Sequence, residues 1–133
     1  YNLEKMAERP DLGSSLAIYN FIHPKVRDLE VEEAHLLLMN QNFRLIKHVK
    51  LSVGGITETA VDVRRIMREA VLNNATILAL SHNHPSNSPK PSRADDTLTH
   101  QIKAACDLMR IFFMDHVIVA DGSFYSYHDK GKL

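Results

Sequence analysis

One cysteine, Cys106, stands in a chain of 133 residues. A lone thiol excludes a disulfide framework and a thiolate zinc cluster, and it points to a reducing compartment, so the cytoplasm is the expected setting. Charge of one sign is also missing. Lys plus Arg and Asp plus Glu number 16 each, for a net charge of zero. That balance argues against a chain whose main task is to neutralise phosphates, although a local basic face is compatible with it. No apolar run approaches the roughly 18 residues of a membrane span, so no membrane partner is expected. The opening stretch YNLEKMAERPD lacks the apolar core of a signal peptide. It begins with Tyr1 rather than Met, as a piece of a longer protein would, and residues 1–13 are read as an N-terminal tail or the remnant of such a chain.

What is present is ordinary globular material, with 44% hydrophobic and 24% charged residues. A chain of this length suits one domain that buries about two thirds of its unfolded surface. The periodicity alternates between types. Residues 13–22 begin with serine cap candidates and predict a helix ending before Pro24. EEAHLLLMN (32–40) and RLIKHVKLSV (44–53) read as two strands joined by a short turn at 41–43. Residues 60–75 carry Val63, Ile66, Met67, Ala70 and Val71 at helical spacing. TILALS (76–81) is short and apolar, as a strand buried on both faces would be. A second long helix is expected near 93–109, with Leu98, Ile102, Ala105, Leu108 and Met109 on one stripe. IFFMDHVIVA (111–120) reads as another buried strand, turned by Asp121–Gly122 into a last strand, SFYSYH. The expected fold class is therefore α/β: a single domain with a mixed β-sheet flanked by helices.

The chemistry concentrates in SHNHPSNSPKPSRADD (81–96). His82 and His84 are spaced i, i+2, so an extended backbone would point both imidazoles to one side. Two imidazoles on one face make half of a common zinc site. Three of the five prolines stiffen the loop that follows. Ser92 then occupies a helix N-cap position, which would hold Asp95 in the first turn. His82, His84 and Asp95 together would leave one tetrahedral position open for water, as a hydrolytic zinc site requires. The same residues admit a plainer account. Ser92 and Asp95 make a good helix cap without any metal, and a histidine in a strand is commonly a hydrogen-bonded polar residue. On spacing alone both accounts stand.

Two comparisons fail on detail. In HNH nucleases the three residues are scattered through a ββα unit, whereas here they are consecutive. A zinc nucleobase deaminase needs a P-C-x-x-C segment, which one cysteine cannot supply.

The string His82-Asn83-His84, seven residues, Ser92, two residues, Asp95 resembles the signature of the JAMM (MPN+) metalloproteases. The fuller pattern, completed by Thr97 or Thr99, Met114-Asp115-His116 and a closing Tyr-Ser, is similar to the bacterial RadC-type branch over about residues 14–133. The resemblance implies a JAMM/MPN domain of cytidine-deaminase-like architecture and one Zn2+ held by His82, His84 and Asp95. It implies that Ser92 hydrogen-bonds the developing oxyanion or the attacking water. An upstream glutamate, Glu32 with Glu33 as the alternative, would serve as base and then acid. The activity implied is that of a zinc metallopeptidase or isopeptidase acting on a peptide or protein substrate. Two further roles stay open: a DNA repair or recombination accessory, and a catalytically silent interaction domain. No helix-hairpin-helix segment is visible, so nucleic acid would be contacted only through regions outside this chain.

Departures from the pattern are few. Asn87 replaces the glycine of the usual HNHPSG loop, and asparagine tolerates a left-handed backbone better than most residues. Asn40 and Gly55 replace a common aspartate and threonine at positions expected to flank the cleft. His116 is read as a buried, locally hydrogen-bonded histidine. His35, His48, His100 and His128 show no partner spacing. Cys106 is assigned to packing, Asp96 to solvent or to support of the site, and Arg64, Arg65 and Arg68 to a surface helix face.

Overall fold

A computed structural model describes residues 9–54 and 61–133. β1 (Glu33–Met39) and β2 (Leu45–Val53) pair antiparallel across a tight turn. Asn40 builds that turn: its side-chain oxygen accepts from the Asn42 and Arg44 amides at 2.8 and 3.1 Å. β3 (Ile77–Asn83) is buried along its whole length, as its unbroken apolar run requires. It runs antiparallel to β1 and parallel to β4 (Phe112–Ala120), which turns back into β5 (Ser123–Ser126). The strand order in the sheet is β2-β1-β3-β4-β5.

Helices cover both faces, because alternate residues of β1 and β3 are apolar on each side. α1 (Ser15–Val26) presses Ile18, Ile22 and Val26 onto Leu37, Met39, Ala79 and Val119. On the other face α2 (Val63–Leu72) and α3 (Arg93–Met109) pack Ile66, Ala70, Leu98, Ile102 and Cys106 against Ala34, Leu36, Leu38, Leu78 and Leu80. Each fully buried Leu or Ile contributes about 2 kcal/mol from removed apolar area. The mixed sheet with helices on both sides is the α/β architecture expected. Among the described residues, no helix is long and apolar enough to cross a membrane.

Several local expectations need correction. α1 does not stop before Pro24 but runs through it to Val26. Proline removes the bond to the Asn20 carbonyl. Asn20 is exposed, so water can satisfy that carbonyl, while burial of Ile22 and Val26 favours continuing the helix. The apolar stripe of α3 is Leu98, Ile102 and Cys106; Leu108 is 84% exposed and Met109 is exposed as well. The last strand ends at Ser126, two residues before the expected limit. Asn40 lies at the far end of β1 from the Ala34–His82 pair, about 20 Å away at strand rise, so it does not flank the candidate cleft. Gly55 and the start of the helix expected from residue 60 lie outside the described residues.

Candidate metal centre

β3 carries its extended backbone beyond the apolar run. Asn83 still pairs with Val119, and the His84 amide donates to the Val119 carbonyl at 2.9 Å. His82 and His84 therefore point to the same side, toward the start of α3. Asn83 points the other way and clamps the segment before β1. It accepts from the Glu33 amide at 2.7 Å and donates to the Val31 carbonyl at 3.0 Å. The middle residue of the histidine pair thus fixes the backbone on both sides of Glu32.

The first turn of α3 closes the site. Ser92 Oγ accepts from the Asp95 amide at 3.1 Å, and Asp95 Oδ2 accepts from the Ser92 amide at 2.8 Å, a reciprocal capping box. Cap and site are compatible, because the same carboxylate also faces both histidines. His82 Nε2 lies 3.2 Å from Asp95 Oδ1, and His84 Nε2 lies 3.3 Å from Asp95 Oδ2. The two Nε2 atoms are 3.0 Å apart. A tetrahedral zinc centre with bonds near 2.0–2.1 Å has ligand–ligand edges of about 3.3–3.4 Å. Two imidazole nitrogens and a carboxylate at these separations fit a divalent cation. They are a group of three that could hold a metal ion, with His82 and Asp95 buried and His84 partly exposed.

Electrostatics agree. Burial on its own would raise the Asp95 pKa, but hydrogen bonds from His82 and His84 outweigh it and hold the carboxyl well below the usual range. The hydrogen bond to Asp95 raises His84, against an opposing effect of burial. His84 Nδ1 meets the Ser88 carbonyl at 2.9 Å. A carbonyl can only accept, so a proton stays on Nδ1 there, and Nε2, which faces Asp95, is the nitrogen on which a cation would replace a proton.

Glu32 sits at the open side, its carboxylate 3.9 Å from His84 Nε2 and its side chain 31% exposed. Glu33 turns to the opposite face, where it meets His35 at 3.0 Å and Lys50 at 3.6 Å. Ser92 is exposed at the rim, and accepting the Asp95 amide leaves its hydroxyl proton available. Asn87 takes φ 70°, the left-handed conformation its glycine-like position calls for, and its side chain accepts from the Asp121 amide at 2.8 Å.

Sequence reasoning missed two groupings. His35 and His48 do have partners: His35 Nδ1 lies 2.6 Å from His48 Nε2, and His35 Nε2 lies 3.0 Å from Glu33. A spacing of 13 residues carries no signal until the β1–β2 register is known. His116 is buried and hydrogen-bonded as expected, but its partners are His82 Nδ1 at 2.8 Å and Thr99 Oγ1 at 2.6 Å, so it backs the site. The signal was Thr99 and Met114-Asp115-His116 in the fuller pattern. Asp96 accepts from Tyr127 at 2.6 Å, and Cys106 is buried, its thiol pushed up to about 12 by burial. Arg65 donates to the Leu51 carbonyl and Arg64 pairs with Asp62, both structural uses.

Residues 12–132 match the model of the RadC-like JAB domain family. The chain is 39% identical over 131 residues to a UPF0758 protein of Porphyromonas gingivalis, covering 98% of this chain and 58% of that one. It is 35% identical over 133 residues to a UPF0758 protein of Geotalea uraniireducens, with 100% and 58% covered. A UPF0758 protein of Haemophilus ducreyi is 44% identical over 107 residues, with 77% and 48% covered. The chain thus spans about half the length of the curated relatives it matches.

Proposed function

The chain belongs to the family of RadC-like JAB domains, and from that premise we propose that it is a zinc-dependent hydrolase of peptide or isopeptide bonds. The observation that carries the reading is the convergence of His82, His84 and Asp95 within 4.8 Å of one another, beside the Glu32 carboxylate. His82, His84 and Asp95 would hold the ion; bound there, zinc acts as a Lewis acid toward the attacking water and the scissile carbonyl.

The chain's own groups do the rest. Glu32, partly exposed on the open side, takes a proton from the attacking water and delivers it to the leaving amine. Ser92 Oγ, at the rim, points its free proton toward the developing oxyanion. A groove of about 420 Å³ runs beside the start of α3, lined by Lys90, Pro91, Tyr125 and Tyr127 among others, and offers room for a peptide side chain. A single buried cysteine suits the cytoplasm as the setting. The balanced charge gives no support to DNA as the ligand of this chain.

Metal content is the direct test. Near-stoichiometric zinc in the native chain, lost in His84→Ala, supports the centre, and a native protein that takes up no metal removes it. For catalysis, a peptide library cleaved by the native protein is spared by Glu32→Gln.

A further inference from the structure

The chain as a whole carries no net charge, yet lysines gather around the groove beside the start of α3. Lys90 reaches it from the loop before the helix, where Pro89 and Pro91 fix the backbone on either side. Lys132 reaches it from the turn after β5. There the Lys130 amide donates to the Ser126 carbonyl at 3.1 Å, Gly131 takes φ 68°, and the Lys132 amide donates to the Tyr127 carbonyl at 2.9 Å. Lys130 Nζ lies 6.0 Å from the centroid of the Tyr125 ring, which also lines the groove. Lys47, Lys50 and Lys103 pair with Glu69, Glu33 and Asp107, whereas among the described residues no carboxylate pairs with Lys90, Lys130 or Lys132. Asp96, an acid in the same wall, is engaged by the Tyr127 hydroxyl at 2.6 Å.

We propose that this groove is an anion subsite, which selects peptide substrates carrying an acidic side chain close to the scissile bond. The inference rests on the hydrolase reading above and narrows its substrate class.

Position and charge together favour this occupant. Pro91 and Asp96 line the groove and flank the Ser92–Asp95 capping box by one residue on each side. Tyr127 lines it too, and its ring stacks on His116 at 5.0 Å and 9°, while His116 meets His82. A peptide at the candidate centre therefore reaches the groove within a few residues, each spanning about 3.3–3.6 Å when extended. A carboxylate arriving there meets lysines that have no acid to give up, on backbone that is already ordered, so little ordering cost opposes binding. Single-stranded nucleic acid is the other polyanion to weigh, and the groove suits it poorly. Base stacking needs open aromatic faces. Tyr127 is buried against His116, and Tyr125 has Lys130 over its ring and meets Tyr127 edge-on at 80°. The Asp96 carboxylate would also repel a run of phosphates.

The test reads binding and needs no turnover. Short dye-labelled peptides that alternate glycine with glutamate, glutamine or lysine are titrated with the protein, and fluorescence anisotropy gives each affinity. The native protein should bind the glutamate peptide about 5–10-fold more tightly than the glutamine peptide, the range of two exposed ion pairs. That margin should shrink when salt is raised from about 50 to about 500 mM. Lys90→Gln with Lys132→Gln removes the margin, and Lys90→Glu with Lys132→Glu turns the preference toward the lysine peptide, a reversal that a general loss of structure would not produce. Both lysines are exposed, so the substitutions leave the core intact. Equal binding of the three peptides by the native protein overturns the proposal, as does a glutamate preference that survives the double reversal. Tighter binding of an oligothymidylate than of the glutamate peptide overturns it in favour of nucleic acid. The two readings also separate: a peptide library cleaved without regard to acidic residues removes the subsite and keeps the hydrolase. Selective binding of the glutamate peptide by a protein that cleaves nothing keeps the subsite and removes the hydrolase.

Discussion

Glu32 and Glu33 are adjacent in the chain and serve opposite faces of the sheet. One lies 3.9 Å from His84 at the open side of the site, and the other is buried against His35 beneath α1. The reversal is the two-residue period of extended backbone. It predicts that two isosteric amide substitutions separate cleanly. Glu32→Gln lowers kcat about 10²–10⁴-fold, the range of a lost general base, with zinc content and thermal stability unchanged. Glu33→Gln leaves kcat near native and costs about 1–3 kcal/mol in unfolding free energy, because it weakens a buried charged hydrogen bond. Peptidase kinetics and thermal unfolding on both proteins check the pair.

On the proposed reading Ser92 holds two tasks that a second substitution can divide. Its oxygen caps α3 and its proton remains for the reaction. Ser92→Ala loses both, costing about 1 kcal/mol of stability and about 10²-fold in kcat. Ser92→Asn keeps a good cap and lacks the hydroxyl, so stability returns toward native while kcat stays low. Recovery of kcat in the asparagine protein would remove the hydroxyl from the reaction.

How much of this was legible in the sequence depends on the distance over which the physics acts. The limits of α3 follow from a local signal, Ser92 and Asp95 bonding each other across one turn, and the structure gives Arg93–Met109. β3 was legible as an apolar run, and the shared side of His82 and His84 follows from strand periodicity. What was hidden arises from pairing. His82 and His116 are 34 residues apart, and His35 and His48 are 13 apart; only sheet register brings them together. The continuation of α1 through Pro24 was hidden because a local penalty was outweighed by burial of Ile22 and Val26. Leu108 is expected on one stripe with Leu98 and Ile102, yet 100° per residue turns it away from the line through Leu98, Ile102 and Cys106.

Asn87 joins the metal loop to the β4–β5 turn. Its left-handed backbone suits glycine, but glycine lacks the oxygen that accepts from the Asp121 amide. Asn87→Gly should therefore cost about 1 kcal/mol, one net hydrogen bond. Asn87→Ala loses the same bond and adds about 1–2 kcal/mol for a Cβ in the left-handed region. The predicted stability order is native, then glycine, then alanine, measured by denaturant unfolding. Equal stability of all three would show that neither the bond nor the backbone conformation matters.

His35 and His48 give the fold an acid sensitivity separate from the candidate metal centre. Burial lowers both, His48 to about 4, with the neighbouring imidazole, Lys25 of α1 and Lys50 of β2 acting in the same direction on His48. Glu33 opposes the shift at His35. A base whose folded pKa is depressed stays neutral in the native state while the unfolded chain takes up protons. Its stabilisation is complete above about 6.5 and is lost as the pH falls from there toward 4. For His48 this amounts to about 2 kcal/mol, after allowance for its partly exposed ring. His116, also lowered by burial, acts with the same sign, so the native slope alone does not identify His48. His48→Phe retains a ring beside Phe21 and removes the titration. Unfolding free energy measured from pH 7 to 4 should fall less steeply in that variant than in the native protein, whatever its stability at pH 7. Parallel curves would assign the acid sensitivity to other groups.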